Sequence, residues 1–430
     1  MKDIISATFA PSPQAYVRRS PASPGRLWCA CVLLLVALPG LAAAQTLPTG
    51  PVTTAGGRLT ISGEGAASVS PDDEAYFDYS DYNYNLLRQM RLDGTAAFRL
   101  GSHVSLLGDL RLEGPIGEGQ WTLRPYALFA RVRPWSRRAF DIQAGLIPPV
   151  FGAFTRRSYG ADNPLIGFPL GYQYITSLRS DALPASADDL LRRRGQGWRV
   201  SYPVGSVYAD HGVPLVDGLH YQTGVEMHAG SNPLDASVAF TAGSLSAPGR
   251  SEAGPGVQIS GRVAYHPVPG LVLGVSGAQG GFVARSVTDV LGAAANATSN
   301  DQRVLGFDAE YSRGYWLVRT EGIVSSWDLP SLQRPFLNGP LRAYALALEG
   351  RYRLRPGLYA AARVDRLDFS EITGTAGTLP WDAPVRRVEV GGGYSLQRNV
   401  LVKIAYQYNW RDTALTRTSG LASAQILFWF

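Results

Sequence analysis

Leu421-Ala-Ser-Ala-Gln-Ile-Leu-Phe-Trp-Phe430 ends the chain. At a repeat of two residues, Ala422, Ala424, Ile426, Phe428 and Phe430 share one side, and the last residue is a bare aromatic ring. Chain termini usually lie at the surface and fray, so an apolar end needs a reason. A strand that closes a barrel supplies one, with one side toward lipid and its last ring at the membrane interface.

The other end of the sequence agrees. Leu27 to Leu38 is a run of twelve apolar residues, preceded by Arg18, Arg19 and Arg26 and followed by Pro39, Gly40 and Ala42-Ala43-Ala44. This is the pattern of a secretory signal peptide, with cleavage expected after Ala44, and the run is too short for a membrane helix. The expected organisation is a signal at 1–44, a periplasmic segment at 45–57 and a transmembrane barrel at 58–430. The long stretch before the apolar run raises the hypothesis that translation starts at Val17, which the gene's codon there would decide. Cys29 and Cys31 are the only cysteines, so the chain beyond the signal offers no disulfide, thiolate nucleophile or cysteine metal site. Losing Lys2, Arg18, Arg19, Arg26 and Asp3 leaves 36 basic and 33 acidic residues, a net of +3, with Lys403 the sole remaining lysine.

From residue 58 onward, alternation at period two is broken by Gly, Pro, Asn and Asp. In Val400 to Trp410, Val402, Ile404, Tyr406 and Tyr408 oppose Lys403, Ala405, Gln407 and Asn409. Tyr344, Leu346 and Leu348 oppose Ala345, Ala347 and Glu349; Leu305, Phe307 and Tyr311 oppose Gly306, Asp308 and Glu310. A soluble sandwich and a membrane barrel share this pattern with the sides exchanged. Three features favour an all-β antiparallel transmembrane barrel. The strands are long, they end in aromatic residues, and short turns alternate with long polar loops.

Seventeen strand starts can be read, near 58, 92, 103, 121, 140, 197, 221, 234, 256, 271, 302, 315, 341, 358, 386, 400 and 421. Single-chain bacterial barrels take even numbers. Counting from both ends places an extra strand at Phe168 to Leu178, so eighteen strands are expected. Sixteen is the alternative, if Arg58 to Ser68 is not a membrane strand.

Residues 147–199 carry an arginine set: Arg156, Arg157, Arg179, Arg192, Arg193 and Arg194, with Arg199 at the start of the next expected strand. Guanidinium groups at a constriction favour anions by charge and by paired hydrogen bonds. Arg156, Arg157, Arg179 and Arg199 are the candidate constriction residues. Ser186-Ala-Asp-Asp-Leu-Leu-Arg-Arg-Arg-Gly195 also reads as a short capped helix, which favours a structural role for Arg192–Arg194. Arg131, Arg133, Arg319, Arg351, Arg363, Arg387 and Lys403 are expected to line the lumen, facing acids such as Asp109, Glu321, Asp365 and Glu389. Nearly balanced signs of this kind form cross-strand ladders first and select solutes second.

Ala144-Gly-Leu-Ile-Pro-Pro-Val-Phe-Gly152, Leu358-Tyr-Ala-Ala-Ala-Arg-Val-Asp-Arg-Leu-Asp368 and Gly393-Tyr-Ser-Leu-Gln-Arg-Asn-Val-Leu-Val-Lys403 carry a resemblance that extends over residues 58–430. The chain resembles the phosphate-selective porin O and P family and general bacterial outer-membrane porins. Such porins fold a loop inward after the fifth strand, so the resemblance implies that residues 147–199 narrow a pore. It also implies a homotrimeric diffusion channel in the outer membrane for small anionic or polar solutes. Phosphate selection in that family relies on lysines along the pore, where this chain has Lys403 alone. The terminal Phe428 and Phe430 resemble the signal that the outer-membrane assembly machinery reads.

No Walker loop, HExxH, GxSxG or zinc-spaced set occurs, so no enzyme, cofactor or nucleic-acid partner is expected. The alternatives are a structural or export barrel working with periplasmic partners, and a hydrolase whose site is assembled from separate strands.

Overall fold

The computed structural model describes residues 50–78, 86–116, 120–135, 138–157, 160–248, 256–291, 300–330, 337–413 and 417–430. The expected signal, most of the segment before residue 50 and its cleavage point lie outside the described residues.

Sixteen strands form the wall. The first half comprises β1 (Leu59–Val69), β2 (Gln89–Arg99), β3 (Val104–Pro115), β4 (Thr122–Val132), β5 (Ala139–Ile147), β6 (Gln222–Ser231), β7 (Leu234–Ala242) and β8 (Val257–Val268). The second comprises β9 (Leu271–Gly281), β10 (Asp301–Arg313), β11 (Trp316–Trp327), β12 (Leu341–Arg355), β13 (Leu358–Phe369), β14 (Val385–Gln397), β15 (Val400–Arg411) and β16 (Thr418–Trp429). Each strand pairs antiparallel with the next, and β16 returns to β1 from Glu64↔Trp429 to Val69↔Ala424. Closure leaves no long unpaired edge, which is the condition for a sheet to cross a bilayer.

The closing seam explains the aromatic terminus. Gly63 and Phe430 exchange backbone hydrogen bonds at 3.1 and 3.0 Å. A Cβ at Gly63 would stand 2.9 Å from the Asp93 carbonyl oxygen and 3.0 Å from the Phe430 ring, so only glycine admits this approach. Below the seam, the short strand Val52–Thr54 takes over as the partner of β1, with Val52 opposite Ile61.

Alternate positions separate two environments. Leu123 is 68% exposed, Leu305 67% and Ile404 66%, whereas Asp109, Arg111, Glu389, Lys403 and Gln407 are buried. A soluble sandwich requires the reverse, so the apolar side is outside and the polar side faces the lumen. The tight turns at one end hold Gly270, Gly314 and Gly357 at φ of +86°, +61° and +79°, the left-handed geometry that two-residue hairpins need. Among the described residues no helix is long and apolar enough to cross a membrane.

The expected eighteen strands are corrected to sixteen. All the strand starts read from the sequence are present except that near 197, and the extra strand at Phe168 to Leu178 is absent. Removing one candidate satisfies parity as well as adding one does. Arg58 to Ser68 supplies a wall strand after all, so the route to sixteen differs from the expected alternative. Phe168 to Leu178 is buried on both alternating sides apart from Ile175, and a wall strand needs one side for lipid. It forms instead the one-turn helix α1 (Leu170–Gln173) inside the barrel.

The hydrophobic core consequently lies within the lumen, toward the long-loop end. Phe151, Phe168, Leu170, Tyr172, Leu190 and Leu215 from residues 148–221 pack against Trp327, Leu341, Leu367, Trp381 and Val385. The expected capped helix is present as α2 (Ala187–Leu191), where the Ser186 hydroxyl accepts from the Asp189 N–H at 3.2 Å. Its ion pair joins Arg192 to Asp189, three residues earlier, at 2.5 Å.

Candidate pore constriction

Residues 148–221 leave β5, enter the barrel and return to β6. Apart from the short ladder of Ala182–Leu183 with Val204–Gly205 and a bridge at Val200 and Asp210, the segment carries its backbone donors and acceptors without sheet partners into a space with limited water, and each must be satisfied. The wall supplies the partners. Lys403 Nζ, on β15, donates to the carbonyls of Gly160 (2.5 Å), Asn163 (2.5 Å) and Leu165 (3.2 Å). Arg363, on β13, donates to the Gly167 carbonyl at 2.8 Å, and Arg387, on β14, donates to Phe168 and Phe77 carbonyls at 3.2 Å.

Carboxylates do the complementary work. Glu389 accepts from the N–H groups of Ile166 and Gly167, and Glu64, on β1, accepts from those of Gly160 and Ala161. Glu321, on β11, accepts from the Ala153 N–H and from the Tyr172 hydroxyl, while Ser276 on β9 accepts from Gly152. Outside the wall strands, Asp382 accepts from Ser177 at 2.7 Å and from Gly195 at 2.6 Å. Burial raises the Asp382 carboxyl above its ordinary range, and these N–H donors oppose that rise. The hairpin formed by Glu371–Gly374 and Gly377–Pro380 adds Thr375, which donates to Asp188 on α2 through its N–H (2.8 Å) and hydroxyl (2.9 Å).

Where the segment meets β10 to β13, charge remains partly open. Arg157 reaches Glu310 at 2.6 Å, with both side chains 24% exposed. Arg319 binds the same Glu310 at 3.0 Å and Glu349 at 3.3 Å. A cavity of about 30 Å³, room for one water, lies among Arg157, Asp162, Arg319, Glu321, Glu349 and Arg363. The signs alternate around it, so this is a mixed-charge wall and not a ring of arginine.

The candidate residues from the sequence separate into groups. The Arg156 backbone belongs to the turn Thr155–Arg157, and its side chain lies outside the described residues. Arg157 and Arg319 converge at the partly open site, and Arg351 stands half-buried near the Tyr359 ring. Arg199 is exposed, Arg131 lies 3.5 Å from Asp141, and Arg133 sits exposed at a short turn.

Four of the candidates are committed to the inserted segment. Arg179 is fully buried, paired with Asp181 at 2.7 Å and donating to the carbonyls of Val200 and Tyr208 at 2.6 Å, so it braces the segment from within. Arg363, Arg387 and Lys403 project inward as expected and are buried under the segment, with Arg363 also bordering the small cavity beside Arg157 and Arg319. Glu64, Glu321, Glu389 and Asp382 were not singled out as fastenings. The readable signal for them was a balanced lumen charge beside a long inserted segment. Among the described residues, no group of three His, Cys, Asp or Glu stands close enough to hold a metal ion.

No family model matches this sequence, and no curated protein matches it. Solved structures do match. The anion-selective porin from Comamonas acidovorans is 12% identical, with a TM-score of 0.51, covering 86% of this chain and 99% of its own. The outer membrane channel DcaP of Acinetobacter baumannii is 9% identical, with a TM-score of 0.51, covering 88% of this chain and 99% of its own. The likeness is one of fold: a closed antiparallel barrel of the general porin kind.

Proposed function

We propose that this chain is a passive channel of the bacterial outer membrane, admitting small hydrophilic solutes past the inserted residues 148–221. The observation that carries the reading is the inversion of sides in a closed sixteen-strand wall: leucine and isoleucine outside, arginine and carboxylate within. Hydrocarbon outside and water inside is the solvent arrangement that satisfies both faces. The porin resemblance adds a homotrimer and assembly through Phe428 and Phe430, and the signal pattern at 27–44 adds cleavage near Ala44.

The lean toward anions rests on Arg157 and Arg319, which meet the partly open site beside Glu310 and Glu349, with Arg351 nearby and Arg156 adjacent in sequence. Phosphate as the preferred solute has weak support, because the one lysine beyond the signal is committed to three backbone carbonyls. Purified protein in a planar bilayer should give steady conductance with chloride favoured over potassium. Replacing Arg156 and Arg157 by Ala should move that ratio toward cations, and an unchanged ratio would leave both as scaffold.

A second reading draws on the number of fastenings between wall and segment. A barrel occluded by residues 148–221 would serve a structural or export role. Silent bilayers in the native chain, with conductance appearing only when the fastenings are cut, would select it.

A further inference from the structure

Exposed arginines gather at the short-turn edge, in turns that hold no acid. Arg58, Arg99, Arg133, Arg138, Arg313, Arg353, Arg355 and Arg398 all stand at this edge, all are exposed, and no carboxylate pairs with any of them among the described residues. Arg99 donates to the Gly57 carbonyl at 2.5 Å, which leaves its charge unneutralised. At the long-loop end the exposed wall arginines are of two kinds: Arg303 pairs with Asp328 at 3.5 Å and Arg366 with Asp368 at 2.5 Å, while Arg342 has no carboxylate partner among the described residues and Arg386 lies over the Trp410 ring at 4.7 Å.

The imbalance is built into the turns. No Asp or Glu occurs in 54–58, 99–104, 132–139, 231–234, 266–271, 313–316, 353–358 or 397–400. The terminal carboxylate of Phe430 is the one negative group of the backbone there. The arginines occupy the entry to β1 and the turns β2–β3, β4–β5, β10–β11, β12–β13 and β14–β15. They form an arc that omits only the β6–β7 and β8–β9 turns.

Depth along the wall identifies the partner. On the outer face at the same edge, Trp316 packs on Tyr352 with ring centroids 4.5 Å apart, and Tyr315 meets Tyr352 edge-on at 6.3 Å. Phe428 and Phe430 stack at 6.1 Å, and Trp135 meets Phe140 at 5.2 Å with the Arg138 guanidinium 5.6 Å from the Trp135 ring. Such rings settle at the boundary between hydrocarbon and headgroups, which places the arginines at headgroup depth. A guanidinium there has a planar fork suited to phosphate oxygens, and its stem can lie along apolar surface.

We propose that this arginine arc is a docking surface for anionic glycerophospholipid, taking the phosphate of a phosphatidylglycerol-type headgroup in the leaflet that the short turns face. The assignment rests on the outer-membrane reading only for which leaflet that is. It does not depend on whether the barrel conducts. The arc holds a shell of anionic lipid around six of the eight short-turn positions, and the positions without arginine lack that preference.

The test uses the full mature chain in phosphatidylcholine vesicles containing spin-labelled phosphatidylglycerol or spin-labelled phosphatidylcholine. Immobilised signal reports lipid in the first shell. Phosphatidylglycerol should be preferred by about fivefold at low salt, the scale of one basic side chain at a charged lipid surface. The preference should shrink steeply by about 0.5 M salt. Replacing Arg133, Arg138, Arg353, Arg355 and Arg398 by Gln should bring the ratio to about one, replacement by Lys should keep most of it, and R303Q with R366Q should leave it unchanged.

A native ratio near one overturns the proposal, as does a folded Gln variant that keeps the native ratio. Should the Gln variant fail to fold, the Lys variant and the salt titration of the native chain decide. Conductance measured on the same preparations separates the two readings: a lipid preference without conductance sinks only the channel, and conductance without preference sinks only the docking surface.

Discussion

Lys403 shows how a single side chain can be assigned to the right face and the wrong task. Its place in an alternating strand puts it in the lumen, and three carbonyls then surround its ammonium. An ammonium has three donors and accepts nothing, so it satisfies three stranded acceptors at once. Lys403→Met should weaken the fastening by roughly 1.5–3 kcal/mol for each strong hydrogen bond it removes, since bonds to a charged group are worth that much. The expected outcome is a barrel that still folds but gives larger and noisier single-channel currents. Native current levels in the variant would show that the ammonium holds nothing in place. Gly63 makes the opposite point, because its value lies in what it lacks. Gly63→Val should strain the β1–β16 seam by about 1–3 kcal/mol and lower the temperature at which the barrel unfolds in detergent. An unshifted transition would remove the close-approach argument.

At the scale of elements, strands and inserted segments obey different rules. A wall strand has one side for lipid and one for water, and its alternation can be read directly. Phe168 to Leu178 has no lipid side, and its dense apolar content belongs to a core that happens to lie inside a cylinder. The connection between β1 and β2 follows the same logic. Asp78 is buried beside Arg387 at 3.1 Å, with Gln173, Asp73 and Glu389 as its other polar neighbours. Burial pushes its carboxyl up to about 6, partly opposed by Arg387. A free carboxyl titrates near 4, so the docked loop holds the proton more tightly than the undocked one. Docking is therefore strengthened as pH falls from 7 to 5 and weakened as it rises through 6. Hydrogen-exchange protection at Leu86, whose N–H donates to the Asp78 carbonyl, should rise by about tenfold over that interval. Asp78→Asn should abolish the pH dependence; protection that falls on acidification would contradict the burial argument.

For the whole molecule, closure is the decisive event. Sixteen strands enclose a lumen wide enough to take in residues 148–221, so the protein has an apolar exterior, a charged inner wall and an apolar core inside that wall. Removing Phe430 should slow assembly in cells and leave more chain in the unassembled, protease-sensitive form. A truncated chain that assembles at the native rate would separate the aromatic terminus from assembly. Cutting the fastenings together, as Glu64→Gln with Glu389→Gln, should release the inserted segment and raise conductance by more than the sum of the two single changes. Strict additivity would mean that the two carboxylates hold independent parts of the segment.

The amino-acid order alone established that this is an all-β chain of long alternating strands, with one apolar and one charged face, short turns at one end and a terminal strand ending on an aromatic ring. Those properties are local, because side-chain direction in a strand repeats every two residues whatever the strand pairs with. The number of strands, the fate of residues 168–178 and the partners of Arg179, Arg363, Arg387 and Lys403 were decided only in three dimensions. Each depends on which distant backbone carbonyls and carboxylates arrive beside a given side chain, and closure of the cylinder around an inserted segment determines that.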